Sequence, residues 1–186
     1  MSELFDIAFI SGLIGATMRM ATPIRFATLG EILAERSGVL NLGIEGIMLM
    51  GAMTGFLVTF SSGSIWTGVL AAALVGMLLG LLMAFLAVDL GLSQHVSGLG
   101  ITLFSTGLAM FIYRLSVGSP TVPPTIAPFK QLTLPVLSKI PVIGPGLFTQ
   151  YSLTYVAWLL IPLMSILLYK TKLGLKIRTV GENPVV

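Results

Sequence analysis

Long stretches of apolar residues constrain the fold of this chain more than any other feature of its sequence. A helix of about 20 apolar residues crosses the hydrocarbon core of a bilayer. Three stretches meet this requirement: residues 65–88, 96–117 and 151–169. A fourth, residues 44–60, is slightly shorter and carries Glu45 near its start, where a negative charge suits the positive end of the helix dipole. The sequence therefore predicts a protein that spans a membrane several times.

The segment formed by residues 4–35 is harder to assign than these four stretches. It combines apolar residues with Arg19, Pro23, Arg25 and Glu31, and it fits an interfacial helix that runs into a membrane helix. Its internal boundary is open at this point. With this segment included, we predict an all-α fold, a polytopic membrane helix bundle with about five to six membrane-embedded helices.

Composition excludes several classes of function. Of 186 residues, 55% are hydrophobic and 9% are charged, whereas an ordinary soluble domain has roughly 25% charged residues. The formal charge of +3 comes from basic residues scattered among apolar runs, which does not predict a nucleic-acid partner. The chain has no cysteine and one histidine, His95, so neither a disulfide nor a metal site is expected.

The positions of the basic residues predict the orientation of the spans. Short cytoplasmic segments retain lysine and arginine, and four basic residues follow the last apolar stretch: Lys170, Lys172, Lys176 and Arg178. Counting back from a cytoplasmic end places residues 118–150 outside and residues 36–43 and 89–95 inside. The N-terminus then lies outside, or inside if residues 4–19 cross separately.

The predicted outside segment, residues 118–150, holds seven of the ten prolines. Proline favours extended backbone and cannot donate to a sheet ladder, so we expect a loop with short helices. A docking surface for an external partner and a stiff connecting segment both fit this composition, and the residues alone favour the second.

Pairs of glycines with four-residue spacing occur in two consecutive stretches. Gly51 and Gly55 lie in one, and Gly76 and Gly80 lie in the next. This spacing lets helix backbones approach closely in membranes. It predicts helix packing or dimerisation and indicates no particular function.

Polar residues at membrane depth are costly and therefore informative. Glu31, Glu35, Arg36, Asn41 and Glu45 surround a glycine-rich break between two apolar segments. Irregular backbone at this depth is tolerated where it is buried in protein or lines water. Two interpretations stay equally open: a solute pathway or buried junction, and a water boundary at which Asn41 caps the next helix.

The stretch from residue 94 to residue 107 is also polar. Ser97, Thr102 and Ser105 fit the lining of a polar cavity, but helix hydroxyls also bond to carbonyls one turn earlier. For His95, a position at the membrane interface is favoured over a proton relay. Our candidate pathway residues are Asn41, Glu45, Ser97 and Thr102.

Motifs for hydrolysis are missing from this sequence. It contains no phosphate-binding loop of the form GxxxxGK[ST], no GxSxG nucleophile elbow and no HExxH metal helix. We therefore do not expect this chain to be an enzyme or to power transport itself.

Two runs carry a resemblance to a known family: LAERSGVLNLGIEGIMLMGAM, residues 33–53, and GLKIRTVGENP, residues 174–184. Together they resemble the permease subunit of bacterial ATP-binding-cassette (ABC) importers, in the branch that includes nucleoside, simple-sugar and branched-chain amino-acid permeases. The resemblance covers the whole chain. The form ERSGVLNLGIEG is most similar to permeases that work with lipoprotein binding proteins for nucleosides.

The resemblance implies a mechanism and a set of partners. A cytoplasmic segment, residues 170–186, would seat in a groove of an ABC ATPase, with a turn at Gly181 and a helix start at Asn183 and Pro184. The candidate coupling residues are Gly181, Glu182, Asn183 and Pro184. The implied partners are that ATPase, a second permease subunit, an external solute-binding protein and the lipid of a bacterial cytoplasmic (inner) membrane. The chain itself would bind no cofactor, because ATP is used by the partner.

Permeases of this family continue beyond the coupling segment, so we expect this chain to be an N-terminal fragment, the first part of a larger permease fold. Two other classes stay open. A partner-free secondary transporter or channel would use the broken helix near Gly38 and Gly46 as its solute site. A non-transporting membrane scaffold would use the glycine-spaced faces only for assembly.

Overall fold

The computed structural model describes residues 7–135, 137–140 and 143–183. This part of the chain is predominantly helical. Its helices are α1 (Ile7–Arg36), α2 (Ile44–Ser62), α3 (Ile65–Ala84), α4 (Gln94–Val117), α5 (Ile143–Phe148), α6 (Ser152–Lys170) and α7 (Lys172–Glu182). A π-helical turn, Phe85–Asp89, continues α3, and a 3-10 turn spans Leu137–Lys139. The predicted helical membrane bundle is confirmed.

Four helices are long and apolar enough to cross a membrane: α2, α3 with its π-helical turn, α4 and α6. They coincide with the four apolar stretches of the sequence. In their most apolar windows only 6% to 22% of the residues are buried, so most apolar side chains face outward. Leu103 and Leu78, for example, are 75% and 62% exposed. Outward apolar surface of this extent suits contact with lipid.

Helix α1 is a fifth long helix of 30 residues, with Pro23 inside it. The sequence left open a boundary within residues 4–35, and the structure has a continuous helix from Ile7 onward. Proline removes one helical hydrogen bond, which membrane helices tolerate when neighbouring groups compensate. The charged residues of this segment therefore lie along one helix.

The chain divides into two compact units. The first comprises Met1–Gly30 and Pro128–Lys176, and the second comprises Glu31–Ala127 and Ile177–Val186. Helices α1 and α7 each contribute residues to both units.

The first unit contains an element that the sequence analysis missed. Strands β1 (Gln131–Thr133) and β2 (Thr149–Tyr151) form a two-stranded antiparallel sheet in which Leu132 pairs with Gln150. We expected only loop and short helices in residues 118–150, because proline cannot donate to a ladder. The two strands contain no proline, so that argument did not apply to them.

Polar side chains are buried in the first unit. The hydroxyls of Thr22 on α1 and Thr154 on α6 are 3.0 Å apart in a buried hydrogen bond. Gln150 is fully buried and donates through Nε2 to the carbonyls of Gly146 and Gly15, at 2.5 Å and 3.4 Å. Buried polar groups without such partners would be costly in lipid.

In the second unit, α2 packs against both α3 and α4. A Cβ placed on Gly55 would lie 3.3 Å from the carbonyl oxygen of Gly68, and one on Gly51 would lie 3.7 Å from that of Ala72. The first glycine pair thus lies at the contact between α2 and α3.

The second glycine pair is less closely packed. The nearest atom to a Cβ on Gly76 is a methyl group of Ile47 at 3.9 Å, and Gly80 has no neighbour within 4 Å among the described residues. Gly80 therefore does not bring helices together within this unit. Gly68, which the spacing pattern did not select, does so instead.

Candidate functional site

The seven residues between α1 and α2, residues 37–43, form an ordered loop that we call the connector. Helix α1 ends in a Schellman motif: Val39 N–H donates to the carbonyl of Ala34, and Gly38 N–H donates to that of Glu35, both at 3.0 Å. Gly38 has φ of +88°, a conformation that favours glycine. The glycine-rich break in the sequence is therefore a specific helix stop.

Gln94, the first residue of α4, holds the middle of the connector through both ends of its side-chain amide. Its Oε1 accepts from Leu40 N–H at 2.8 Å, and its Nε2 donates to the Gly38 carbonyl at 3.1 Å. Two bonds from one side chain to the backbone of the same loop restrict how the start of α4 and the connector can separate.

The end of the connector is held by a carboxylate and an amide. Glu31 on α1 accepts from Asn41 N–H through Oε1 at 2.9 Å. The side chain of Asn41 accepts from Gly43 N–H at 2.9 Å, one residue before α2 begins. The Asn41 side chain thus fixes the backbone just before α2. The N-cap position itself is Gly43, which has no side chain to cap the helix.

Helices α2 and α4 meet beside the connector at close range. A Cβ on Gly46 would lie 2.5 Å from the Cα of Thr102, which is closer than real Cβ contacts allow. The hydroxyl of Thr102 donates to the Leu42 carbonyl at 3.1 Å. The start of α2, the connector and α4 therefore form one tightly packed group.

The last turn of α7 lies directly against the connector. A Cβ on Gly181 would lie 3.0 Å from Gly38 N, and a Cβ on Gly38 would lie 3.3 Å from the Cα of Gly181. The two backbones touch with no side chain between them. The α7 backbone approaches the connector backbone so closely that only glycine fits at position 181. Any larger residue would push the two segments apart.

The second unit therefore gathers three segments that the topology predicted from the sequence places on the cytoplasmic side. They are the connector, the start of α4 and the end of α7. Their proximity fits a location on the same side of the membrane, and the cytoplasmic orientation stays a prediction.

The four candidate pathway residues separate into three environments. Asn41 and Thr102 both bond to the connector backbone. Glu45 is exposed in the first turn of α2. Ser97 is buried and lines a cavity of about 420 Å³ between the end of α3 and α4, whose other lining residues are mostly apolar. The structure does not bring all four to one polar cavity, and their pathway role stays a prediction.

The predicted coupling residues have a different local structure from the one expected. Gly181 and Glu182 lie in the last turn of α7, and Asn183 N–H donates to the Thr179 carbonyl at 3.0 Å. The predicted turn at Gly181 is therefore wrong, because Gly181 lies within the amphipathic helix α7. The predicted helix start at Asn183 and Pro184 lies at the edge of the described residues and stays a prediction. Pro184 lies outside the described residues.

Sequence reasoning noticed Glu31 and Gln94 as polar residues but did not select them as site residues. The usable signal was position, because Gln94 begins a membrane helix and Glu31 lies about two helical turns before Gly38 in the glycine-rich break. Within the described ranges, no group of three histidine, aspartate or glutamate side chains is placed to hold a metal ion. The hydrogen bonds that build the site are made to backbone groups of the connector.

Comparison with known proteins identifies the family. A family model described as the permease component of the branched-chain amino acid transport system matches residues 13–186. The putative glucose ABC transporter permease of Haloferax volcanii is 40% identical over 182 residues, which is 96% of this chain and 54% of that protein. No solved structure matches the chain.

Two further relatives carry the names of nucleoside permeases. The guanosine ABC transporter permease of Bacillus subtilis is 34% identical over 186 residues, 96% of this chain and 58% of that protein. The nucleoside ABC transporter permease of Lactococcus lactis is 35% identical over 173 residues, 88% of this chain and 54% of that protein. The chain spans about half the length of the curated relatives that it matches. It is a multi-pass membrane protein and belongs to the family of branched-chain amino acid transport system permease components.

Proposed function

We propose that this chain belongs to the permease component of an ABC importer that moves a small polar solute across the cytoplasmic membrane. A nucleoside is the first candidate solute and a simple sugar is the second. ATP hydrolysis is supplied by a separate ATPase subunit, and an external binding protein delivers the solute to a pair of permease subunits.

The observation that carries this proposal is the position of α7. It is a short amphipathic helix with basic residues, and its last turn lies against the connector from which α2 begins. A helix in this position is suited to receive a partner on one side and to contact membrane helices on the other. The family match adds that relatives bearing this segment carry the name of ABC permeases.

Helix α7 also offers apolar side chains to a partner. Leu173 and Val180 are 65% and 50% exposed, and they lie seven residues apart on one helix face. Lys172 and Lys176 are also exposed on α7 and add positive charge to one side of this face. An amphipathic helix of this kind fits a groove on a cytoplasmic protein.

The choice of solute rests on shared chemistry. The named relatives act on glucose, guanosine or nucleosides according to their names, and all three kinds of molecule carry several ring hydroxyls. A pathway for such solutes needs hydrogen-bond partners at intervals. Uptake of radiolabelled guanosine and of glucose, each measured in the same membrane vesicles, distinguishes the two candidates.

The first test of the importer is co-purification. We expect the chain, extracted in mild detergent from its own membrane, to carry an ABC ATPase that mass spectrometry identifies. Val180→Asp should release the ATPase because it places a charge on the exposed apolar face of α7.

The matched control is Val122→Asp, the same change at a valine that is 80% exposed in the predicted outside segment. This variant should retain the ATPase. If both variants retain it, α7 is not the docking helix. If the unsubstituted chain carries no ATPase, the importer proposal is wrong.

A further inference from the structure

The contact between Gly181 and Gly38 joins the end of α7 to the connector through backbone atoms alone. Side chains can absorb a small displacement by changing rotamer, whereas two backbones in contact have no such freedom. A Cβ on Gly181 would also lie 3.0 Å from the carbonyl carbon of Arg36. The last turn of α7 therefore touches both the final residue of α1 and the connector.

The connector is in turn bonded to the starts of two membrane helices. Gln94 attaches it to α4 through two hydrogen bonds, and Thr102 adds a third from one side-chain hydroxyl. At its other end the Gly43 carbonyl accepts from Ile47 N–H at 3.0 Å, the first helical bond of α2. A displacement of the connector consequently acts on α2 and α4 together.

Both attachments use groups that lie far apart in the sequence. Gln94 and Gly38 are 56 residues apart, and Thr102 and Leu42 are 60 residues apart. The Asn41 side chain and the Glu31 carboxylate hold the remaining part of the connector, so its backbone is bonded at Gly38, Leu40, Asn41, Leu42 and Gly43. These bonds restrict independent movement of the individual connector residues.

We propose that Gly181 and Gln94 are positioning residues on one mechanical route, along which movement of α7 passes through the connector to α2 and α4. This inference rests on the proposed importer function and names the residues that link its ATPase to the membrane helices. Gly181 sets the contact between α7 and the connector, and Gln94 sets the contact between the connector and α4.

The test uses the assembled transporter and two substitutions. Gly181→Ala adds a Cβ between the two backbones. Gln94→Glu keeps an oxygen for Leu40 N–H but replaces the donor to the Gly38 carbonyl with a second oxygen. We expect Gln94→Glu, which lies outside the docking helix, to retain the ATPase and basal ATP hydrolysis. We expect the maximal rate of solute uptake to fall by roughly threefold to thirtyfold with KM unchanged, the range set by coupling energies between connected residues.

Gly80→Ala is the matched control, because it makes the same change at a helical glycine of the same unit that has open space around it. Its uptake should equal that of the unsubstituted protein. The double variant, Gly181→Ala with Gln94→Glu, should be no worse than the more damaging single variant, since two breaks in one route are not additive.

Three results would overturn this inference and leave the importer proposal standing. Uptake in Gly181→Ala equal to that in Gly80→Ala would show that the contact transmits nothing. Loss of the ATPase in both variants would show a merely structural role, and an additive double variant would show two separate routes. If Gly181→Ala does not assemble, the uptake kinetics of Gln94→Glu test the inference. A maximal rate equal to that of the unsubstituted protein would contradict it. Absence of any ATPase on the unsubstituted chain would overturn the importer proposal and this inference with it.

Discussion

At the residue scale, the most consequential positions are those where a side chain is missing or where one side chain serves two backbone groups. Gly46 is adjacent to the backbone of Thr102, and Gly68 is adjacent to that of Gly55. Gln94 bonds two groups of the connector. None of these roles is visible in the residue type alone, because glycines and polar helix ends are common in membrane proteins.

Gly68 provides a stability test at this scale. A Cβ at this position would lie 2.6 Å from the Gly55 carbonyl oxygen and would also overlap the Thr59 hydroxyl. We expect Gly68→Ala to lower the free energy of unfolding by about 1–3 kcal/mol, the usual cost of overpacking. Unfolding in detergent, followed by circular dichroism, measures the change.

Gly80→Ala again serves as the control for this substitution. Alanine has a higher helix propensity than glycine by about 1 kcal/mol, so the control should be neutral or slightly stabilising. Equal destabilisation by both variants would contradict the assigned contact between α2 and α3.

At the element scale, helices α1 and α6 are joined by a buried pair of hydroxyls. The Thr22 hydroxyl donates to the Met18 carbonyl of its own helix at 2.9 Å and lies 3.0 Å from the Thr154 hydroxyl. Within the first unit this pair connects two helices that are far apart in sequence, since the two threonines are 132 positions apart. Hydrogen bonds between membrane helices contribute modestly, because the unfolded segments in lipid find other partners.

We predict a measurable coupling between these two threonines. In a double-mutant cycle with Thr22→Val and Thr154→Val, the interaction free energy should be about 0.5–1.5 kcal/mol. Valine keeps the shape of threonine and removes the hydroxyl. Thermal unfolding in detergent is a suitable measurement.

The control pairs Thr154→Val with Thr28→Val. Thr28 is exposed and bonds only to the Ile24 carbonyl of its own helix among the contacts described. This second cycle should give no coupling, and an equal coupling in both cycles would indicate a general effect of removing hydroxyls.

At the scale of the whole molecule, the proposed function requires a particular orientation of the helices in the membrane. Four helices have the length and composition of membrane spans, and the basic residues after α6 predict that this end is cytoplasmic. The two ends of α4 must then face opposite sides of the membrane. Coupling to a cytoplasmic ATPase requires that the start of α4 and the end of α7 lie on the same side.

Cysteine labelling tests this orientation without interference, because the chain has no cysteine of its own. Ser119→Cys places an exposed thiol just past the C-terminal end of α4, and His95→Cys places one in its first turn. A membrane-impermeant maleimide should label position 119 in intact cells and position 95 only after permeabilisation.

Labelling of position 95 in intact cells and not of position 119 would reverse the topology. It would also contradict the proposed docking of an ATPase on α7. The unsubstituted chain, which should take up no label, is the control for background reaction.

Much of this molecule was predictable from its sequence. The four apolar stretches match four helices because the free energy of placing about 20 apolar side chains in lipid is a local sum over neighbouring residues. The helix stop at Gly38 was predictable as a glycine-rich break for a similar reason, since backbone conformation at a Schellman motif depends on adjacent residues. Family resemblance identified the permease from the runs that contain this break and α7.

The tertiary structure decided which distant groups meet. Pairing of Leu132 with Gln150, attachment of Gln94 to the connector and contact of Gly181 with Gly38 all join residues far apart in sequence. Such contacts leave no periodic pattern, because each depends on the packing of several helices at once. The sequence by itself thus determined the membrane helices and their family, and only the tertiary structure revealed the junction that joins α7 to α2 and α4.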